Sequence, residues 1–267
     1  YPKKAVLTNA IYNLCHKYDN NLITNKMIDL EELKKKVFPY YKAISDLVHK
    51  PELEYSEDEL NLMSVFYPKW GKKFGTNNNG ILFFGRATDG NYGNENNAID
   101  ENCLFGCTKE KAIENFDKPH ELQSFNFSRG FFACLKAVSL RIYEGKEDWY
   151  DYVAWSDLFI LNDKEEGNPS AKILNLQLDN CKKIFEEEIK LFSPKIVFLF
   201  TGEQWYKDFV SFTKPPIYTE SWGGQYDVKV YLKDGIYYFA TEHPGRKRYT
   251  ELVDAIEIIY NKIKSAN

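Results

Sequence analysis

Two short segments carry the side chains best suited to chemistry. "GRATDG" (85–90) sets Arg86, Thr88 and Asp89 in a turn framed by Gly85 and Gly90, directly after the apolar run "ILFF". "TEHPGRKR" (241–248) sets His243 just after the apolar run "IYYFA", with Pro244 fixing the next turn and Arg246, Lys247 and Arg248 beside it. A carboxylate such as Asp89 can direct or activate water, and a histidine can exchange or share a proton with a reacting group. Arg86 stays protonated and cannot act as a base. Asn91 and Tyr92 prolong the polar turn, and the basic trio suits phosphate. Asp157 stands inside "AWSDL", where an acid is costly to bury without a partner. Each segment also has a plainer reading: a solvated Asp-Gly turn, a loop-capping aspartate, a surface-turn histidine.

The elements that must position these residues follow from hydrophobic spacing. Residues 1 to about 78 read as helical. "LEELKKKVF" puts Leu30, Leu33 and Val37 on one face; Pro39 is expected to break that helix, and "YYKAISDLVHK" to resume it. From Gly80 the pattern changes. "ILFFG", "YVAWSDLFIL", "KIVFLFTG" and "IYYFA" are four strand candidates. Between the first two lie the Asn-rich loop "NYGNENNAIDEN" and a helix with Phe131, Leu135, Val138 and Ile142 on one side. A Ser170-capped helix precedes the third strand. A hairpin through Asp234-Gly235 leads into the fourth, and an amphipathic helix closes the chain. Long helical connections imply crossovers and a mostly parallel four-stranded central sheet. Uninterrupted apolar strands imply helices on both faces, a three-layer α/β/α fold. Function then belongs at the carboxyl ends of the strands.

Composition bounds the rest. The chain has 267 residues, 43% hydrophobic and 16% aromatic, enough for a sizeable core. Net charge is -4, so any nucleic-acid site must be a local basic patch. No apolar run approaches the roughly 18 residues that span a bilayer, and no signal-peptide pattern is visible. The five cysteines are scattered, which fits reduced thiols in a cytoplasmic protein. Cys103 and Cys107 form a CxxxC pair, but no second pair completes a metal or cluster set. No metal and no cofactor are expected, and neither is a membrane partner; the chain is expected to be monomeric.

A Gly-led turn after the first strand, a polar side chain ending a middle strand, and a late strand entering His-Pro resemble the uracil-DNA glycosylase superfamily. Its first motif reads like GQDPY, GINPG or GEAPG, and its last like HPS with a basic loop. "GRATDG" and "HPGRKR" stand in those places, in that order. The resemblance covers roughly residues 78 to 264. It implies a glycosylase-like domain over 79–267 preceded by a helical extension over 1–78. It implies DNA as partner and hydrolysis of the N-glycosidic bond of a damaged or non-canonical base. Asp89 would direct water, and His243 would stabilise the departing base. Gly85, Arg86, Thr88, Asn91, Tyr92 and Asp157 would line the base site, and Phe105 in "CLFG" or Tyr92 would stack on the extruded base. Arg246, Lys247 and Arg248 would hold the DNA backbone.

This sequence departs from the motifs. Ala87 and Thr88 replace the usual acid or amide and the proline. Asp157 falls where the family has an Asn; ionised, it would repel uracil's O4 and accept from an exocyclic amine. Two further readings stay open. One is a catalytically silent nucleic-acid- or protein-binding module, the other a hydrolase of a free nucleoside or nucleotide.

Overall fold

The structure is a computed structural model that describes residues 28–56, 59–60, 63–75, 80–87, 130–164 and 167–266. In chain order, its strands are β1 (Ser64–Val65), β2 (Lys69–Trp70), β3 (Ile81–Ala87), β4 (Val153–Phe159), β5 (Leu161–Asn162), β6 (Ile196–Phe200), β7 (Tyr218–Trp222), β8 (Tyr226–Lys233) and β9 (Ile236–Thr241). Its α-helices are α1 (Leu30–Val48), α2 (Gly130–Ile142), α3 (Ala171–Phe192), α4 (Glu203–Tyr206) and α5 (Tyr249–Ala266).

Four strands made of apolar runs form the centre, in the order β4-β3-β6-β9, and every neighbouring pair is parallel. The sheet is wider than the expected four strands. Among the described residues it has seven, with β2 added antiparallel beyond β4 and the β8–β7 pair added antiparallel beyond β9. The physical reason is edge protection. Short or half-polar antiparallel strands satisfy the outer backbone groups of a core that would otherwise expose them.

Alternation along the strands puts aromatic rings on both faces. Phe83 stacks on Phe198, 4.8 Å between centroids, and Phe200 on that same face meets Phe131 of α2. Phe84 points the other way and meets Phe185 of α3. Helices therefore cover both faces, as uninterrupted apolar strands require.

α1 packs on α3 through the stripe Leu33, Val37, Tyr41, Ile44 and Val48, all buried. Pro39 does not break this helix; it lies on the exposed side of one continuous element. Burying five large side chains outweighs the roughly 3 kcal/mol that an interior proline costs. Residues 64–70 are not helical either. Met63, Phe66, Tyr67 and Trp70 are buried, and β1 and β2 pair with β5 and β4.

Local signals place the remaining elements. Ser170 caps α3, its hydroxyl accepting from the Ile173 amide at 3.3 Å. Asp234 (φ 52) and Gly235 (φ 78) are both left-handed, as the two-residue hairpin turn into β9 demands. Where β4 ends and β5 begins, buried Gln177 accepts from the amides of Ile160 (3.1 Å) and Leu161 (2.9 Å). Its amide group donates back to the Leu161 carbonyl at 2.7 Å.

Candidate functional site

Because β4, β3, β6 and β9 are parallel, their carboxyl ends share one edge of the sheet. Gly85 and Arg86, Asp157, Thr201, and Glu242 with His243 therefore converge there. Thr88, Asp89, Asn91, Tyr92 and Phe105, together with Cys103 and Cys107, lie outside the described residues.

Gly85 is paired with Asp157 across β3 and β4. A Cβ at position 85 would stand 2.2 Å from Asp157 Oδ1 and 3.7 Å from a ring carbon of Phe131. The missing side chain is what lets a carboxylate lie over the strand. Asp157 is 5% exposed. Phe131, in the first turn of α2, closes the same face, and its ring runs nearly parallel to His243, 11° apart with centroids at 6.0 Å. Gly85, Asp157, Phe131 and His243 thus form a linked row on one face at the sheet's carboxyl edge.

The local chain fixes the state of His243. The Gly245 amide donates to Nδ1 at 3.1 Å, so a neutral ring carries its proton on Nε2. A Cβ at position 245 would come within 2.9 Å of the imidazole, so glycine allows the backbone to close on the ring. Burial pushes the imidazole's pKa down to about 4, helped by the positive charges of Arg86 and Lys247. His243 is a neutral hydrogen-bond donor at neutral pH.

Arg86 faces the other way. Its neighbour Gly85 opens onto Phe131, and strand alternation turns Arg86 toward α4. Its Nε donates to the Thr201 carbonyl at 2.6 Å, Nη2 lies 3.5 Å from Glu242, and the guanidinium sits 5.5 Å from the Trp205 ring. Arg86 ties the ends of β3, β6 and β9 together from the α4 side. The structure brings it to the same edge as His243, but not to the same face as Asp157.

The basic trio divides as well. Lys247 Nζ donates to the His243 carbonyl at 2.9 Å and lies 5.1 Å from the Tyr226 ring. Arg246 and Arg248 are exposed, and Arg246 holds a left-handed backbone (φ 60).

Sequence reasoning missed Phe131. An aromatic ring at helical spacing reads as core, and this one is partly core, touching Trp155 at 6.0 Å. The usable signal was its position one residue after Gly130, which places it in the helix's first turn at the sheet's edge.

No known family model matches the chain, and no curated protein does either. Among the described residues, no helix is long and apolar enough to cross a membrane.

Proposed function

We propose that this protein is a base-excision glycosylase-like hydrolase, which cleaves the N-glycosidic bond of a damaged or non-canonical base in DNA. The observation that carries the reading is His243: a neutral imidazole at the sheet's carboxyl edge, with Nδ1 engaged and Nε2–H left to donate. Cleavage of that bond puts negative charge on the departing base. A fixed donor aimed at the developing anion lowers the barrier without moving a proton. Phe131 and Asp157 stand on the same face, where a planar ring needs an aromatic wall and an edge contact. Asp89, which follows β3 by two residues in the sequence, takes the water-directing role, and the exposed Arg246 and Arg248 contact phosphate.

The test is a panel of oligonucleotides bearing uracil, hypoxanthine, xanthine or oxidised bases, single- and double-stranded, scored for abasic sites. At least one should be converted, and His243→Ala should lose that conversion. No abasic product from any substrate would end the glycosylase reading.

A hydrolase of a free nucleoside is the second reading. It is favoured by Lys247, whose ammonium is turned onto its own backbone and Tyr226. That leaves a short basic footprint for DNA.

A further inference from the structure

We infer that Lys247 is a positioning residue: it acts through His243, whose loop it holds closed, rather than on the backbone of DNA. This rests on the reading that His243 is the donor in the proposed reaction, and goes on to name what holds that donor in place.

β9 ends at Thr241, so the sheet no longer serves the backbone of His243. Its carbonyl needs another partner. The Lys247 ammonium supplies one at 2.9 Å. The Lys247 amide donates to the Pro244 carbonyl at 3.2 Å, which closes the turn that brings this side chain back. Inside the turn, the Gly245 amide donates to His243 Nδ1 at 3.1 Å. Lys247 thus shapes the peptide on which the imidazole's own hydrogen bond depends.

The ammonium also has a fixed floor. It lies 5.1 Å from the centroid of the Tyr226 ring. That ring packs on Trp222, 4.8 Å between centroids, and Trp222 Nε1 donates to Thr241 Oγ1 at 2.9 Å. The contacts leave β9 through His243 and return to it at Thr241. A cation between a carbonyl and an aromatic face is satisfied without an anion. Arg246 and Arg248 are exposed on either side, whereas Lys247 is half-buried. A phosphate could recruit Lys247 only by drawing its ammonium off the His243 carbonyl and so releasing the loop.

The inference is tested on the full chain with Lys247→Met, which keeps the length and removes the donor, and Lys247→Arg, which keeps both donor and charge. Proton–nitrogen NMR correlation of the imidazole reads its tautomer and its pKa. Wild type and Lys247→Arg should show the Nε2–H form alone. Lys247→Met should show both tautomers and titrate above the wild-type value of about 4. The slope of log affinity for a DNA duplex against log salt should not change in Lys247→Met, whereas losing a phosphate ligand would flatten it by about one. On a cleaved oligonucleotide, Lys247→Met should slow single-turnover excision by about tenfold to a hundredfold, the cost of a misplaced group, at unchanged duplex affinity. A folded Lys247→Met protein that keeps the Nε2–H form alone would overturn the inference, even with a raised pKa, since that would be a charge acting at a distance. A flattened salt slope would overturn it too. If circular dichroism shows that the methionine variant does not fold, Lys247→Gln is read in the same way. If no DNA binds and no base is excised, the glycosylase reading falls, and the NMR result still decides whether Lys247 holds the loop.

Discussion

Asp157 occupies the volume that a side chain at Gly85 would need, with Oδ1 only 2.2 Å from where a Cβ would be. The two residues are register partners on adjacent parallel strands in the middle of the sheet, so neither backbone can retreat. Gly85→Ala should destabilise the protein by ~1–3 kcal/mol, the range for overpacking a close-fitted interior. Urea unfolding measures this. In an Asp157→Ala background the same substitution should cost clearly less, because the colliding oxygen is gone. Equal costs in both backgrounds would show that the strain lies elsewhere.

The parallel contact between Phe131 and His243 has an electrostatic consequence. Burial is the largest cause of the low His243 pKa. Phe131→Ala admits water to the imidazole, and its pKa should rise from about 4 part of the way toward the ordinary 6.5. The charges of Arg86 and Lys247 remain, so recovery should be incomplete. An NMR titration of the ring protons reads the shift. An unmoved pKa would mean that Phe131 does not shield the ring.

How much of this was legible in sequence depends on how local each cause is. Three central strands announced themselves as uninterrupted apolar runs leading to Gly85, Thr201 and Thr241, and the fourth as the longer run "YVAWSDLFIL" with Asp157 inside it. Ser170 and Asp234-Gly235 also did so, because a cap and a primed turn are chemistry within a few residues. Pro39 misled because propensity is local, whereas the stripe from Leu33 to Val48 is buried by a helix far along the chain. Lys69–Trp70 is too short to show a period, and only β4 makes it a strand. In the site, His243 was visible as a rare residue at a strand end. Its protonation state was not, since that depends on Gly245's amide and on a ring from α2. Nor was the parting of Gly85 and Arg86 to opposite faces, which follows from β3 running on to Ala87 where the sequence reading set a turn.

Glu188 gives the molecule a second pH dependence, linked to the site through Asp157. It is fully buried on α3, and burial raises its pKa from 4.5 to about 8, with Asp157's charge adding to the rise and the Ser156 hydroxyl offsetting part of it. Between those values the folded state holds a proton that the unfolded chain releases, so stability is full below 4.5 and falls as pH rises toward 8. His243 has the opposite sign. Its pKa drops from 6.5 to about 4, so its contribution is present above 6.5 and is lost as pH falls toward 4. One proton changes stability by about 1.4 kcal/mol per pH unit. The two slopes should nearly cancel below pH 6.5, leaving a net loss of ~2 kcal/mol from 6.5 to 8. Urea unfolding at intervals across this range checks it. Glu188→Gln should abolish the loss above 6.5 and unmask a gain between 4 and 6.5.

Arg246 is exposed and sits in a left-handed backbone that disfavours side chains. Arg246→Gly should therefore leave thermal stability unchanged or slightly raised while, on the proposed function, removing a phosphate contact. The slope of log affinity for a DNA duplex against log salt should flatten by about one. An unaltered slope would show that this residue does not touch the backbone of DNA.

His243 supplies the prediction closest to the chemistry. In the proposed reaction it would donate from Nε2 to charge that develops on the departing base, as a neutral ring that never needs to be protonated. Two consequences follow together. The first concerns the donor. His243→Ala should slow excision by about a hundredfold to a thousandfold, the usual cost of losing one preorganised donor. His243→Asn should recover part of that loss, because an amide N–H can donate although it cannot exchange protons at neutral pH. The second concerns pH. With its pKa held near 4, His243 should leave no inflection between pH 5 and 8 in single-turnover rates. A general-acid histidine would behave differently: the rate would fall across that interval as the proton was lost, and Asn would rescue nothing. Single-turnover rates of the wild type and both variants over pH 5–8, on whichever oligonucleotide is cleaved, separate the two mechanisms. A wild-type rate that declines above pH 6, together with an inert Asn variant, would assign His243 a proton to give rather than a hydrogen bond to hold.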